Sequence, residues 1–350
     1  MDFLERIYYA GFLMKQRSSL SRREQLPCRV VSIGNITVGG TGKTPATIAL
    51  AQEALNRSYA PVILTRGYRG TARGPCFVTT GSGPLISAGE AGDEPYLMAY
   101  RLRGVPIVKG PDRYKSGVFA LDRIRQSTPE LSAEVRAGIG ARTLFLLDDG
   151  FQHFRLLRNM DIVLIDSQDP FGSNRLLPFG RLREPLTALE RAHIIVVTKS
   201  GMKMDGRGPG IEQTLNTVRA YNTRAPLYIA DHLPVSAADR DGNEHPVSML
   251  SGKKVFGFCG IGSPGSFSKT LRDTGAEVMG FRHFRDHHRY TKADIAGLTK
   301  EASASKCQWI VTTEKDIIKI EHLDLPENIL IIRIEFSIDS SFYDKVFEEE

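Results

Sequence analysis

The sequence predicts an α/β fold: a mostly parallel sheet sandwiched by helices, with a second, smaller α/β/α domain behind it. Three observations carry this. Short apolar runs alternate with helical segments along most of the chain, the pattern of a sheet wound with crossover helices. The runs RVVSI (29–33), TLFLL (143–147) and IVLI (162–165) lack the in-and-out alternation of half-exposed strands, so both of their faces are covered. Finally, the turn TVGGTGKT (37–44) stands directly after the first such run and before a helix. That placement gives the sheet the character of a P-loop NTPase.

The elements follow in order. Residues 2–14 read DFLERIYYAGFLM, and Phe3, Leu4, Ile7, Tyr8, Gly11 and Met14 share one helical face. Phe12 and Leu13 widen that face, and Lys15, Arg17, Arg22 and Arg23 follow it. Two readings stand side by side: a helix docked on its own domain, or one lying in a membrane interface with its basic residues toward anionic headgroups. The strand at 29–33 leads through the glycine-rich turn into a helix from Pro45 to about Leu55. Further strands are expected at 60–64, 105–108, 143–147, 162–165 and 194–198. The polar, glycine-rich stretch 201–213 marks a change of register.

Beyond it, a strand at 254–258, a turn at 260–265, a helix at 267–274 and strands at 309–313 and 329–336 describe the smaller domain. Residues 226–235 and 329–336 read as a two-stranded linker between the domains. The expected division is an N-terminal amphipathic helix over 1–25, a P-loop domain over 26–225, the smaller domain with its linker strands over 226–336, and a tail over 337–350 returning to the first domain.

Composition sets limits on function. The chain has 350 residues, 41% hydrophobic and 25% charged, the balance of a folded globular protein. Its net charge of +6 suits an anionic partner such as a nucleotide, a phosphorylated lipid or a membrane surface. No basic run interleaved with aromatic residues points to nucleic acid. Cys28, Cys76, Cys259 and Cys307 lie too far apart for a CxxC zinc site or a disulfide framework. No apolar run approaches the roughly 20 residues that span a bilayer. Asp2 and Glu5 put acidic charge among the first residues and no small-residue cleavage site follows, so the N-terminus does not read as a secretory signal.

Residues Thr37, Val38, Gly39, Gly40, Thr41, Gly42, Lys43 and Thr44 form the phosphate loop. Glycines are needed there because backbone N–H groups must turn inward around phosphate, where side chains would block the approach. Lys43 is placed to reach the β- and γ-phosphates, and the Thr44 hydroxyl to bind magnesium. Thr37 stands where such loops usually begin with glycine. Asp148 and Asp149 close the strand TLFLL, at the edge where an open α/β sheet binds ligands, and suit a magnesium site. His153, four residues further on, reads equally as a packed or a functional histidine. Asp93 and Glu94, in GEAGDEP, fit either helix capping by Asp93 or a base and a magnesium-linked group beside the acceptor. The stretch from Lys109 through Arg113 to Lys115 could hold phosphate or face solvent. The histidines of FRHFRDHHRY (281–290) lack the carboxylate or thiol partners of a zinc motif, which leaves a catalytic or orienting role for one of them.

These residues together resemble the tetraacyldisaccharide 4′-kinase family of lipid A biosynthesis. The likeness rests on GNITVGGTGKTP (34–45), TRGYRG (65–70), GDEP (92–95), LDDGFQH (147–153), LREP (182–185), VTK (197–199), DHHRY (286–290) and TTEKD (312–316), in the family's order. It implies transfer of the γ-phosphate of ATP, with Mg²⁺, to the 4′-hydroxyl of a tetraacylated glucosamine disaccharide 1-phosphate, giving lipid IV-A. It also implies two α/β/α domains joined by a two-stranded linker, and attachment of the N-terminal helix to the cytoplasmic face of the inner membrane. By the same resemblance Lys43 and Thr44 bind phosphate and magnesium, and Asp149 holds the metal with Asp148 beside it. Asp93 acts as the base, assisted by the histidine of the DH pair in DHHRY, placed at His287, with the adjoining His288 as the alternative. Glu94, Arg113 and Glu184 fall on further active-site positions. The pairing is chemically sound: an aspartate with a reference pKa of about 3.9 is a weak base alone, and an imidazole lets the proton pass to a group that titrates near neutrality. Domain closure is expected to assemble the pair over the acceptor.

Two other readings share the loop. A nucleotide-switch ATPase that dimerises across ATP often carries lysine where this chain has Val38. A kinase of a soluble small molecule needs no amphipathic first helix.

Overall fold

The computed structural model describes residues 2–126, 142–198 and 209–348. It divides into two compact units, Met1–Asp231 with Phe336–Glu350, and His232–Glu335. The glycine-rich stretch at 201–213 lies outside the described residues up to 208, as does Lys199 of VTK.

The larger unit opens with α1 (Phe3–Leu20), whose Asp2 and Glu5 form a capping box. The helix uses two stripes differently. Glu5 is buried and pairs with Arg175 at 3.2 Å, Phe12 packs edge-on against Phe154, and the Tyr8 hydroxyl donates to the Arg183 carbonyl at 3.0 Å. Phe3, Leu4, Ile7 and Met14 stay outside, Phe3 76% exposed and Met14 72%. Tyr8 is therefore drawn onto the docked stripe, off the single apolar face expected from periodicity, because its hydroxyl finds a backbone acceptor there.

The sheet of this unit is built from β1 (Arg29–Gly34), β2 (Ala60–Thr65), β3 (Cys76–Thr79), β4 (Ile107–Lys109), β5 (Thr143–Asp148), β6 (Met160–Asp166), β7 (Ile194–Thr198) and the start of β8 (Leu227–Asp239). Their order is β8-β7-β6-β1-β5-β2-β4-β3, parallel throughout except for β3. β1 lies at the centre between β5 and β6, so its C-terminal turn opens beside the end of β5, where Ile33 is in register with Asp148. The apolar side chains of the central strands are buried on both faces, as their unbroken runs require. One face is covered by α2 (Lys43–Asn56), α4 (Asp93–Arg101) and α10 (Ser340–Phe347), through Leu50, Met98 and Phe342. The other is covered by α5 (Arg113–Arg125), through Ala120, Leu121 and Ile124. The short α3 (Ala88–Ala91) precedes α4, and α6 (Pro209–Tyr221) packs Val218 beside Ile195.

The smaller unit holds β9 (Glu244–Pro246), β10 (Lys254–Cys259), β11 (Glu277–His283), β12 (Trp309–Thr313) and most of β13 (Ile329–Ile338). β10 pairs in parallel with β11 and β12, and β12 with β13. Helix α7 (Pro264–Asp273) covers one face through Phe267 and Leu271. Helices α8 (Lys292–Ala304) and α9 (Glu314–Ile320) cover the other through Ile295, Leu298 and Ile320. β11 escapes the sequence pattern because it is an edge strand with few buried residues.

Candidate active site

The turn after β1 is bent by Gly39 at φ 122° and Gly42 at φ 88°, values that favour glycine. Gly42 caps α2, so the helix begins at Lys43 and its N-terminus faces the turn. Thr37 bridges to Leu182, and the Val38 amide donates to the Arg181 carbonyl at 2.7 Å. The Arg181 guanidinium returns two bonds to the Val38 carbonyl, at 3.0 and 2.8 Å, and pairs with Asp169. Asn35 donates to the Thr41 hydroxyl and Thr198 to the Thr41 carbonyl. The loop is thus held from outside by segments on either side.

Lys43 Nζ stands 3.6 Å from Asp149 Oδ1. Asp149 occupies φ 52° at the turn after β5, and both its oxygens accept from Arg183 Nη1 at 2.9 Å. Burial opposes its ionisation, but Lys43 and then Arg183 outweigh that and hold the carboxyl far below the usual range. Asp148, one residue earlier, behaves oppositely. It is buried, its Oδ2 accepts from the Thr65 hydroxyl at 3.0 Å, and burial with the charges of Glu94 and Asp149 raises it to about 7. Its Oδ1 is buried without a hydrogen-bond partner. An orphaned carboxylate oxygen next to the ionised Asp149 fits a hard cation. Among the described residues no group of three or more His, Cys, Asp or Glu side chains forms a ready cage.

Arg113 opens α5 and is buried, with bonds to the Gly110 and Pro111 carbonyls and an unpartnered Nε. Burial lowers it to about 10 against the pull of Asp149 and Asp148, so it remains a cation. Asp93 is the first residue of α4, half-buried, and Gly92 occupies the cap position, so the capping role for Asp93 falls away. The helix terminus favours negative charge there.

Comparison with known proteins decides the family. Residues 4–349 match the family model for LpxK, tetraacyldisaccharide-1-P 4′-kinase. The chain belongs to that family. It is 40% identical to the tetraacyldisaccharide 4′-kinase of Syntrophus aciditrophicus, over 94% of this chain and 86% of that one. It is 35% identical to the enzyme of that name from Halothermothrix orenii, over 97% and 88%. The crystal structure of LpxK from Aquifex aeolicus in complex with ATP superposes with a TM-score of 0.71 at 29% identity, covering 98% of this chain and 96% of that one.

Within this kinase-family chain, Lys43, Asp148, Asp149 and Arg113 come together, and Glu94 acts on Asp148 through its charge. Glu184 is buried one step behind: it accepts from Gln152 and Arg191, each at 2.8 Å, and burial raises its carboxyl. His153 is a packed residue, pushed down to about 3 by burial and therefore neutral. In the smaller unit, His288 is fully engaged in structure. It stacks on Phe284 at 4.6 Å, meets Tyr290 edge-on and bonds Asp294 at 3.2 Å. His287 sits at φ 61° with its imidazole 3.7 Å from Asp286. Arg181, Arg183 and Gln152 were not singled out by sequence reasoning, although Gln152 and Arg183 lie inside LDDGFQH and LREP. Motif membership was their one signal.

Proposed function

We propose that this site moves the γ-phosphate of ATP onto the 4′-hydroxyl of a tetraacylated glucosamine disaccharide 1-phosphate, forming lipid IV-A. The chain is an ATP-dependent kinase of the lipid A pathway by family. The observation that carries the chemistry is the 3.6 Å approach of Lys43 to Asp149, which brings the phosphate-loop ammonium and the metal-type carboxylates to one spot.

Amides of residues 37–44 and the Lys43 ammonium grip the triphosphate, and Arg113 adds a buried positive charge. Thr44 and Asp149, with Asp148 and Glu94 behind them, would hold magnesium, which when bound neutralises charge on the phosphates. Arg183 orients Asp149, while Gln152 links Arg183 to Glu184. Asp93 is the base for the acceptor's hydroxyl proton, and His287 is the assisting histidine. The exposed stripe of Phe3, Leu4, Ile7 and Met14, with the exposed Lys15, Arg17, Arg22 and Arg23, lies in the interface of the cytoplasmic face of the inner membrane. No helix among the described residues is long and apolar enough to cross a membrane.

Incubation with γ-labelled ATP and the disaccharide 1-phosphate in detergent should place label on the lipid, and Lys43→Ala should slow that labelling by about 10²–10³-fold. Transfer to soluble sugars with no need for detergent, or hydrolysis without an acceptor, would refute the assignment. Flotation with anionic vesicles checks the helix: Ile7→Glu should leave the protein at the bottom of the gradient.

A further inference from the structure

The smaller unit buries a carboxylate that the chemistry above does not use. Asp316, at 0% exposure, accepts from the Gly260 amide at 3.0 Å, the Thr313 hydroxyl at 2.8 Å and the Tyr290 hydroxyl at 3.0 Å. Lys319 Nζ stands 2.6 Å from it and lies over the Tyr290 ring. These partners flank the segment that carries His287. The Gly260 carbonyl receives the His287 amide at 3.3 Å, and the Cys259 carbonyl receives the Phe284 amide at 2.8 Å. Tyr290, three residues beyond His287, closes the other side, with Phe284 and His288 packed against its ring.

Asp316 therefore fixes both the backbone that His287 hangs from and the residue that ends its loop. Such bracing is needed, since a left-handed φ of 61° at a histidine persists only where the surroundings over-determine it. The fit at Gly260 is close: a Cβ there would meet Tyr290 Oη at 3.0 Å, Asp316 Oδ1 at 3.2 Å and the Arg285 carbonyl at 3.3 Å. His288 serves the same brace through Asp294.

We propose that Asp316, with Lys319 and Tyr290, is a positioning group that holds His287 in its catalytic orientation without touching substrate. The inference rests on the reading of His287 as the assisting histidine.

A double-mutant cycle on the full chain tests it. Asp316→Asn preserves shape but removes the charge, and it should lower kcat by about 10- to 100-fold with the KM for ATP unchanged. In a His287→Ala background the same substitution should cost no further kcat, because the group it positions is gone. Tyr290→Phe, which deletes one hydroxyl, should show the same non-additivity with a smaller loss of a few fold. It carries the cycle if Asp316→Asn fails to fold, and emission from Trp309, the one tryptophan and a resident of this unit, reports that directly. Additive losses in both cycles, or a raised KM for ATP, overturn the positioning role alone. If His287→Ala leaves kcat intact, the reading of His287 and the positioning role fall together.

Discussion

Two lysine–aspartate pairs stand beside two glycine-rich turns in this molecule, and they differ in whether they can open. After β1, Lys43 and Asp149 are 3.6 Å apart, with side chains 11% and 33% exposed. After β10, Lys319 and Asp316 are 2.6 Å apart, 9% and 0% exposed, and the Gly260 amide already donates to that carboxylate. A triphosphate arriving at the first corner can take Asp149's place on Lys43, since Asp149 keeps Arg183 as its partner. At the second corner, withdrawal of the lysine would leave a buried charge uncompensated, which costs several kcal/mol. A glycine-rich turn between strand and helix thus marks a ligand site only where the chain has not supplied the anion itself.

The sharpest way to break this comparison is to remove each lysine. Lys43→Ala should lower kcat by about 10²–10³ without moving the unfolding of the smaller unit followed by Trp309 emission. Lys319→Ala should lower that unfolding by about 3 kcal/mol and leave the Kd for ATP unchanged. Equal losses of ATP affinity would erase the distinction. The glycines give the next contrast. At Gly39, with φ 122°, a Cβ would run into the Arg181 guanidinium, so Gly39→Ala should weaken ATP binding by about tenfold, measured by calorimetry. Gly265 has nothing within 4 Å of a Cβ, and Gly265→Ala should stay within about 0.5 kcal/mol of the parent in stability.

A further contrast concerns stored charge at the open corner. The folded chain holds the Asp148 proton up to about pH 7, while the unfolded chain releases it near 3.8. Stability conferred by that proton is lost as pH rises through this window, and the penalty is complete above it. Asp148→Asn removes the penalty, so in metal-free buffer above pH 7 the variant should melt above the parent. Each kcal/mol relieved corresponds to about 2–4 °C in Tm, and the gap should close as pH falls toward 3.8.

The open corner was legible in the sequence because its parts are local or carry strong patterns. The turn at 37–44 is contiguous, and Asp148 ends an apolar run that can only be a buried strand. The closed corner was not legible. Its anion comes from Asp316, remote in sequence from Gly260, and no periodicity links them. Arg183 escaped for the same reason: its grip on Asp149 is a tertiary contact, and LREP alone does not say which of its residues reaches inward. β11 was missed because exposure removes the apolar signal, and α1 was half-read because its two stripes are both partly apolar.

The Tyr8 hydroxyl on the Arg183 carbonyl carries a practical consequence. Deleting the greasy first helix is the obvious route to an easily handled protein. The same cut strips a brace from the arginine that steadies Asp149, so the shortened enzyme should hold ATP less tightly even in free solution. Better solubility and a looser nucleotide grip would then arrive together.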